Sequence, residues 1–177
     1  MSDTAILIEG LYFGEGPRWH ADRLWFSDFY AHAVKSVDES GDVRIELELD
    51  DQPSGLGWLP DGRLLVVAMK ERAVKRLDPS GLVLHADISE LTVHLCNDMV
   101  VDADGSAWVG NFGFNLDADL KARGGEVFSD HPVANLVRVD ADGSVHLAAK
   151  DLHFPNGSVI TPDGNTLIVA ETLAGCL

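Results

Sequence analysis

The chain has 177 residues, a length that fits one domain, and its 46% hydrophobic and 24% charged content supports a buried core. A formal net charge of −16 excludes a nucleic-acid binder, which needs clustered Lys and Arg against phosphate. Cys96 and Cys176 are too few and too far apart for a disulfide framework or a zinc site, and no apolar run reaches the ~18 residues of a membrane span.

At the N-terminus, residues 1–10 show neither a basic start nor a long apolar stretch, so no signal peptide is read and a reducing cytoplasm is the expected compartment. Ala5-Ile6-Leu7-Ile8 reads as a strand. Asp22 precedes a short strand, Leu24-Trp25-Phe26, and Ala33–Asp38 alternates apolar and polar residues before Gly41. Asp61-Gly62 then precedes Leu64–Ala68, and Ala73–Asp78 is followed by Gly81. Asp104-Gly105 precedes Trp108-Val109, and Asn135–Asp140 is followed by Gly143. Asp163-Gly164 precedes Leu167–Ala170. Each short apolar run bounded by Gly, Pro and Asp reads as a strand, and each Asp-Gly or Asp-x-x-Gly as a tight turn.

These signals repeat. Asp22 to Asp61 is 39 residues, Asp61 to Asp104 is 43, and Asp104 to Asp163 is 59. Units of roughly 40–50 residues carrying four strands describe propeller blades. The fold expected is therefore an all-β propeller in a single partial domain over 1–177, with blades starting near 15, 54, 97 and 156. A β-sandwich lacks the repeat, and a parallel α/β fold needs helices between strands. The long third interval holds a rim insertion at about 111–134, with a short helical turn at Asp117–Lys121. The fourth blade shows two strands at most, so about three and a half blades are present. A C-terminal truncation is expected, with a four-bladed ring as the alternative. Ala5–Ile8 would be the strand that closes a complete ring. Trp19, Trp25, Trp58 and Trp108 are expected to pack between blades.

Seven residues before each Asp anchor stand Glu15, Ser54, Asn97 and Asn156. Equivalent positions of a propeller face the same axis, so four oxygen-bearing side chains should meet where the chain enters the innermost strands. One carboxylate with amide oxygens suits a hard cation such as calcium, magnesium or manganese; zinc would more often recruit His or Cys. Simple turn chemistry is the competing reading of Pro-Asn-Gly. The histidines show no metal-ligand spacing. His94 and His153 stand three residues before Asn97 and Asn156, from where they could reach the pocket mouth, but a surface or packing role is expected. Ser54 lies outside any nucleophile elbow, and no Walker or dinucleotide loop is present.

Glu15-Gly16-Pro17 with Trp19, Asn97-Asp98 before Val101–Gly105, and Pro155-Asn156-Gly157 before Thr161–Gly164 carry a resemblance along essentially the whole chain. In their order and phase they resemble the senescence-marker-protein (regucalcin) / gluconolactonase / luciferin-regenerating-enzyme family. The resemblance implies a six-bladed propeller with one divalent metal, calcium first, in the central channel. It implies Glu15 and Asn156 as metal ligands, Asn97 beside the metal against substrate or water, and Asp98 supporting that loop. Ser54 and Asn115 join the expected substrate-binding set. The family's remaining acidic ligand, an Asp that is also its general base, would fall beyond Leu177, so no catalytic residue is assigned in this chain. The implied reaction is metal-assisted hydrolysis of a lactone by a monomer that needs neither nucleic acid nor membrane. Sugar-binding members carry Arg two residues before the Asn of Asn-Asp. Leu95 stands there in this chain, which favours a less polar substrate, with Phe112, Phe114 and Asn115 as candidate lining. A non-catalytic calcium- or small-ligand-binding propeller and a strictosidine-synthase-like propeller are the alternatives.

Overall fold

Antiparallel hairpins follow from the turn signals, and they assemble in chain order. The computed structural model describes residues 5–177. Strands β1 (Gly14–His20), β2 (Arg23–Asp28), β3 (Ala33–Val37) and β4 (Val43–Glu48) form the first sheet. Strands β5 (Pro53–Trp58), β6 (Leu64–Ala68), β7 (Ala73–Asp78) and β8 (Gly81–Asp87) form the second. The third holds β9 (Cys96–Val101), β10 (Ala107–Asn111), β11 (Ala134–Val139) and β12 (Val145–Leu152). Strands β13 (Pro155–Ile160) and β14 (Leu167–Glu171) pair as a fourth, two-stranded sheet. Each sheet is a meander of neighbouring strands, and the first strands touch: β1 meets β5, β5 meets β9, and β9 meets β13. This is the blade arrangement of a β-propeller, with β1, β5, β9 and β13 innermost.

Packing between sheets explains the sequence of β6. Its run Leu64–Ala68 is buried throughout. Leu64 and Val66 face Val34 and Leu56, while Leu65 and Val67 face Met99, Val109 and Val137. A strand covered on both faces by neighbouring sheets reads as an unbroken apolar run. Close approach needs missing side chains as well as present ones. A Cβ at Gly55 would overlap the backbone of Asp98 and Met99, so β5 can reach β9 only with glycine there. The outer strands β4 and β12 are mostly solvent-facing, as edge strands of blades should be.

Turn aspartates hold the hairpins by accepting local hydrogen bonds. Asp102 Oδ1 takes Asp104 N at 3.0 Å and Ser106 N at 2.9 Å. The Ser40 hydroxyl holds the Asp38 carboxyl below the ordinary carboxylate range, and the Thr161 hydroxyl does the same for Asp163. A depressed carboxyl stabilises the fold above its unfolded pKa, so this contribution is lost as pH falls below about 3.8. The first hairpin is built differently. Ala21 (φ 49°) and Asp22 (φ 60°) both occupy the left-handed region without a glycine, at roughly 1 kcal/mol or more per residue. Replacing Ala21-Asp22 by Asn-Gly, the preferred pair for a two-residue loop of this hand, is expected to add about 1 kcal/mol and raise Tm by about 3 °C in a thermal melt.

Three expectations are corrected. Ala5–Ile8 forms no strand; Ile6 is 77% exposed, because no strand among the described residues offers it a ladder. Trp19 does not pack between blades but is 57% exposed, since no sheet among the described residues covers that face of β1. Trp25 and Trp58 do meet across the first two sheets, at 5.4 Å in an edge-to-face pair. Trp108 lies under the Arg138 guanidinium, 5.9 Å from its ring centre. In the insertion the helix is longer than the expected turn. Helix α1 (Leu116–Arg123) is capped by Asn115, whose Oδ1 accepts Ala118 N at 3.0 Å, and a short 3-10 segment (Gly124–Phe128) follows. No helix among the described residues is long and apolar enough to cross a membrane.

Candidate active site

Every innermost strand breaks register at the same phase. The β1–β2 ladder is irregular between Glu15 and Arg18, and the β5–β6 ladder between Pro53 and Leu56. The β9–β10 ladder breaks opposite Cys96–Met99, and the β13–β14 ladder between Pro155 and Ser158. Glu15, Ser54, Asn97 and Asn156 all stand at these irregularities. A bulge frees a side chain from strict alternation and re-aims it, which is why bulges gather at sites. Turn-like sequence around each residue was the only signal of this.

All four side chains line one cavity of about 330 Å³. Asn115 lines it too, although its Oδ1 is engaged in capping α1. The wall is largely apolar. Phe13, Phe29 and Tyr30 form one aromatic cluster, with Phe13 and Phe29 at 4.7 Å and Phe29 and Tyr30 at 4.1 Å. Phe112 and Phe154 stack at 4.4 Å as another, and Leu95 and Met69 add to the wall. Phe114 lies outside, buried near His131. Among the described residues no Lys or Arg lines the cavity. Sequence reasoning missed Phe13, Phe29, Tyr30 and Phe154, which follow no repeat; His94, expected at the surface or in packing with the pocket mouth within reach, lines the wall.

Asp98 is not part of the lining. It is buried, and Arg18 holds it: the guanidinium donates to Asp98 Oδ1 at 2.9 Å and to the Met99 carbonyl at 2.5 Å. Burial nevertheless pushes the Asp98 carboxyl up, with Arg18 offsetting part of the rise. Burial also raises Glu15, and the Asp98 charge adds to it. His153 is likewise absent from the lining; its Nδ1 is 2.9 Å from His131 Nε2.

Asn97 is 4% exposed and fixed by Nδ2, which donates to the Pro155 carbonyl at 3.1 Å, tying β9 to β13. Its Oδ1 is buried and has no hydrogen-bond partner. Gly110 makes room for this arrangement, because a Cβ there would overlap the Pro155 carbonyl and lie 2.6 Å from Asn97 Oδ1. Among the described residues no three His, Cys, Asp or Glu side chains gather as a metal cluster. The four in-phase donors are one carboxylate, two amides and a hydroxyl, an all-oxygen set that includes the unsatisfied buried Oδ1 of Asn97, and Asp117 adds a second carboxylate to the lining. That chemistry fits a hard cation.

Blades meeting at their first strands, with polar groups at one phase around a pocket, define a β-propeller with a candidate site at the strand entries. The chain belongs to the SMP-30/gluconolactonase/LRE-like family, whose model matches residues 13–177. A gluconolactonase from Xanthomonas campestris is 26% identical with a TM-score of 0.72, over 94% of this chain and 56% of that one. A calcium-binding protein, regucalcin, from Agrobacterium tumefaciens is 21% identical with a TM-score of 0.71, over 94% and 53%. A luciferin-regenerating enzyme is 20% identical with a TM-score of 0.68, over 89% and 52%. The chain thus spans about half the length of the solved structures it matches.

Proposed function

We propose that the protein hydrolyses a lactone with the help of a divalent metal, calcium, held by Glu15 and Asn156. The observation that carries this reading is the convergence of Glu15, Ser54, Asn97 and Asn156 on one cavity, with a buried Asn97 oxygen unpaired. Membership of the family supports the lactonase class, and the calcium-binding regucalcin supports the choice of metal. A bound cation supplies electrophilic polarisation of the lactone carbonyl and stabilises the oxyanion. Glu15 brings the negative charge that holds it, and Asn156 a neutral oxygen.

The protein's own groups position the substrate. Asn97, locked by Pro155, presents its free oxygen to the substrate or its water. Ser54 and Asn115 add polar contacts at the wall. Asp98 contributes from behind, fixing the start of β9 through Arg18. Leu95 and the aromatic clusters favour a lactone less polar than a sugar lactone. The protein works as a cytoplasmic monomer on this small molecule.

Turnover of an alkyl-substituted neutral lactone tests the reading directly. Chelation is expected to abolish it, and added calcium to restore it. Turnover that survives chelation would sink the metal's role. Calcium binding without turnover of any lactone would instead assign a binding propeller.

A further inference from the structure

We infer that His94 is the proton donor to the ring oxygen that leaves as the lactone opens; the inference rests on the lactonase reading above. Six of the seven histidines have structural work for their rings. His20 stacks on Trp58 at 3.9 Å. His32 Nδ1 is 3.0 Å from the Asp51 carbonyl, and His85 Nδ1 is 3.2 Å from Arg76. His131 and His153 bond each other, and His146 Nε2 is 2.9 Å from Asp140. His94 alone has no hydrogen bond, ion pair or aromatic partner among the described residues, yet its Nδ1 is buried. An unpaired buried polar atom is unfavourable and calls for a partner that arrives later, such as a ligand.

Its ring stands where a ligand would bind. His94 lines the same cavity as Glu15, Asn97 and Asn156. The backbone around it is pinned on both sides: before it, Arg72 Nη1 donates to the Thr92 carbonyl at 2.8 Å, and after it, Cys96 N donates to the Met69 carbonyl at 3.2 Å. Among the described residues the other titratable groups facing the cavity are Glu15, Tyr30 and Asp117, with no Lys, Arg or Cys. Of these side-chain types, only imidazole both gains and gives up a proton readily near neutral pH.

The step balances with groups already named. Water forms a bond to the carbonyl carbon and releases one proton to solvent. The ring C–O bond breaks with its electron pair on oxygen. That oxygen takes the proton of the His94 imidazolium, and the imidazole regains one from solvent. The product is the open hydroxy acid.

The test compares two lactones that differ in the leaving oxygen: an aliphatic δ-lactone, which expels an alkoxide, and a benzo-fused lactone, which expels a phenolate. In His94→Gln, kcat for the aliphatic lactone is expected to fall about 100-fold and that for the benzo-fused one less than about 5-fold. Calcium affinity and Tm should hold. Equal losses on both lactones, or no loss, overturn the role of His94 and leave the lactonase reading standing. No turnover of either lactone by the wild-type protein overturns both. Should His94→Gln fail to fold, the wild-type protein decides through a series of leaving groups. A shallow dependence of rate on leaving-group pKa supports the donor, and a steep one overturns it.

Discussion

Replacing Glu15 by Gln is expected to abolish calcium binding and lactone hydrolysis while raising the melting temperature of the metal-free protein. The two effects have one cause. Burial and the neighbouring Asp98 both disfavour the ionised Glu15 carboxyl. Its folded pKa therefore lies above the ordinary 4.5. A raised carboxyl makes the fold most stable below the unfolded pKa, and stability declines as pH rises through the folded one. The neutral amide removes that decline, so Tm of the variant at pH 7 should exceed the parent's by about 2 °C. Loss of the one in-phase carboxylate among the described residues removes the charge proposed to hold the cation. The hydrolysis rate should drop about 1000-fold, matching the several kcal/mol of charge stabilisation a bound metal contributes. Titration calorimetry at several pH values checks the rest: parent affinity for calcium should weaken as pH falls toward the Glu15 pKa. An unaltered affinity in Glu15→Gln would remove Glu15 from the ligand set.

Arg18→Ala should be among the most destabilising single changes near the site. Asp98 is left with a side chain only 10% exposed and no cation beside it. Breaking a buried pair from one side costs about 3 kcal/mol, far more than a surface ion pair is worth. Tm should fall by about 9 °C at roughly 3 °C per kcal/mol. Adding Asp98→Asn to the same background should recover most of this, because the uncompensated charge is then gone. A double variant no better than Arg18→Ala would mean that the lost bond to the Met99 carbonyl, not the orphaned carboxylate, dominates.

Asp-Gly spacing made the sheets legible before any coordinates. It marked the hairpins at Asp61, Asp104 and Asp163, and counting back seven residues found four side chains that line one cavity. A period works because each blade solves the same packing problem with the same turn. Features outside the period stayed hidden. Arg18 and Asp98 meet across 80 residues, and nothing local in either neighbourhood announces the other. The aromatic wall draws Phe13 from before β1 and Phe154 from before β13, contacts set by tertiary folding alone. Ala5–Ile8 failed for the opposite reason. Its composition suits a strand, but a strand exists only where another offers its edge.

The repeated register break at the strand entries has a topological consequence. Glu15 and Asn156 belong to the first and fourth sheets, and the second and third sheets between them bring their strands toward one cavity. A ligand that touches both closes a loop running through three entire blades. It acts as a clasp on the chain, and its binding free energy adds to the stability of the whole inner rim at once. No single sheet, however well folded, could hold such a ligand by itself. Occupancy of the cavity therefore reports on the assembly of the blades and not on any one of them.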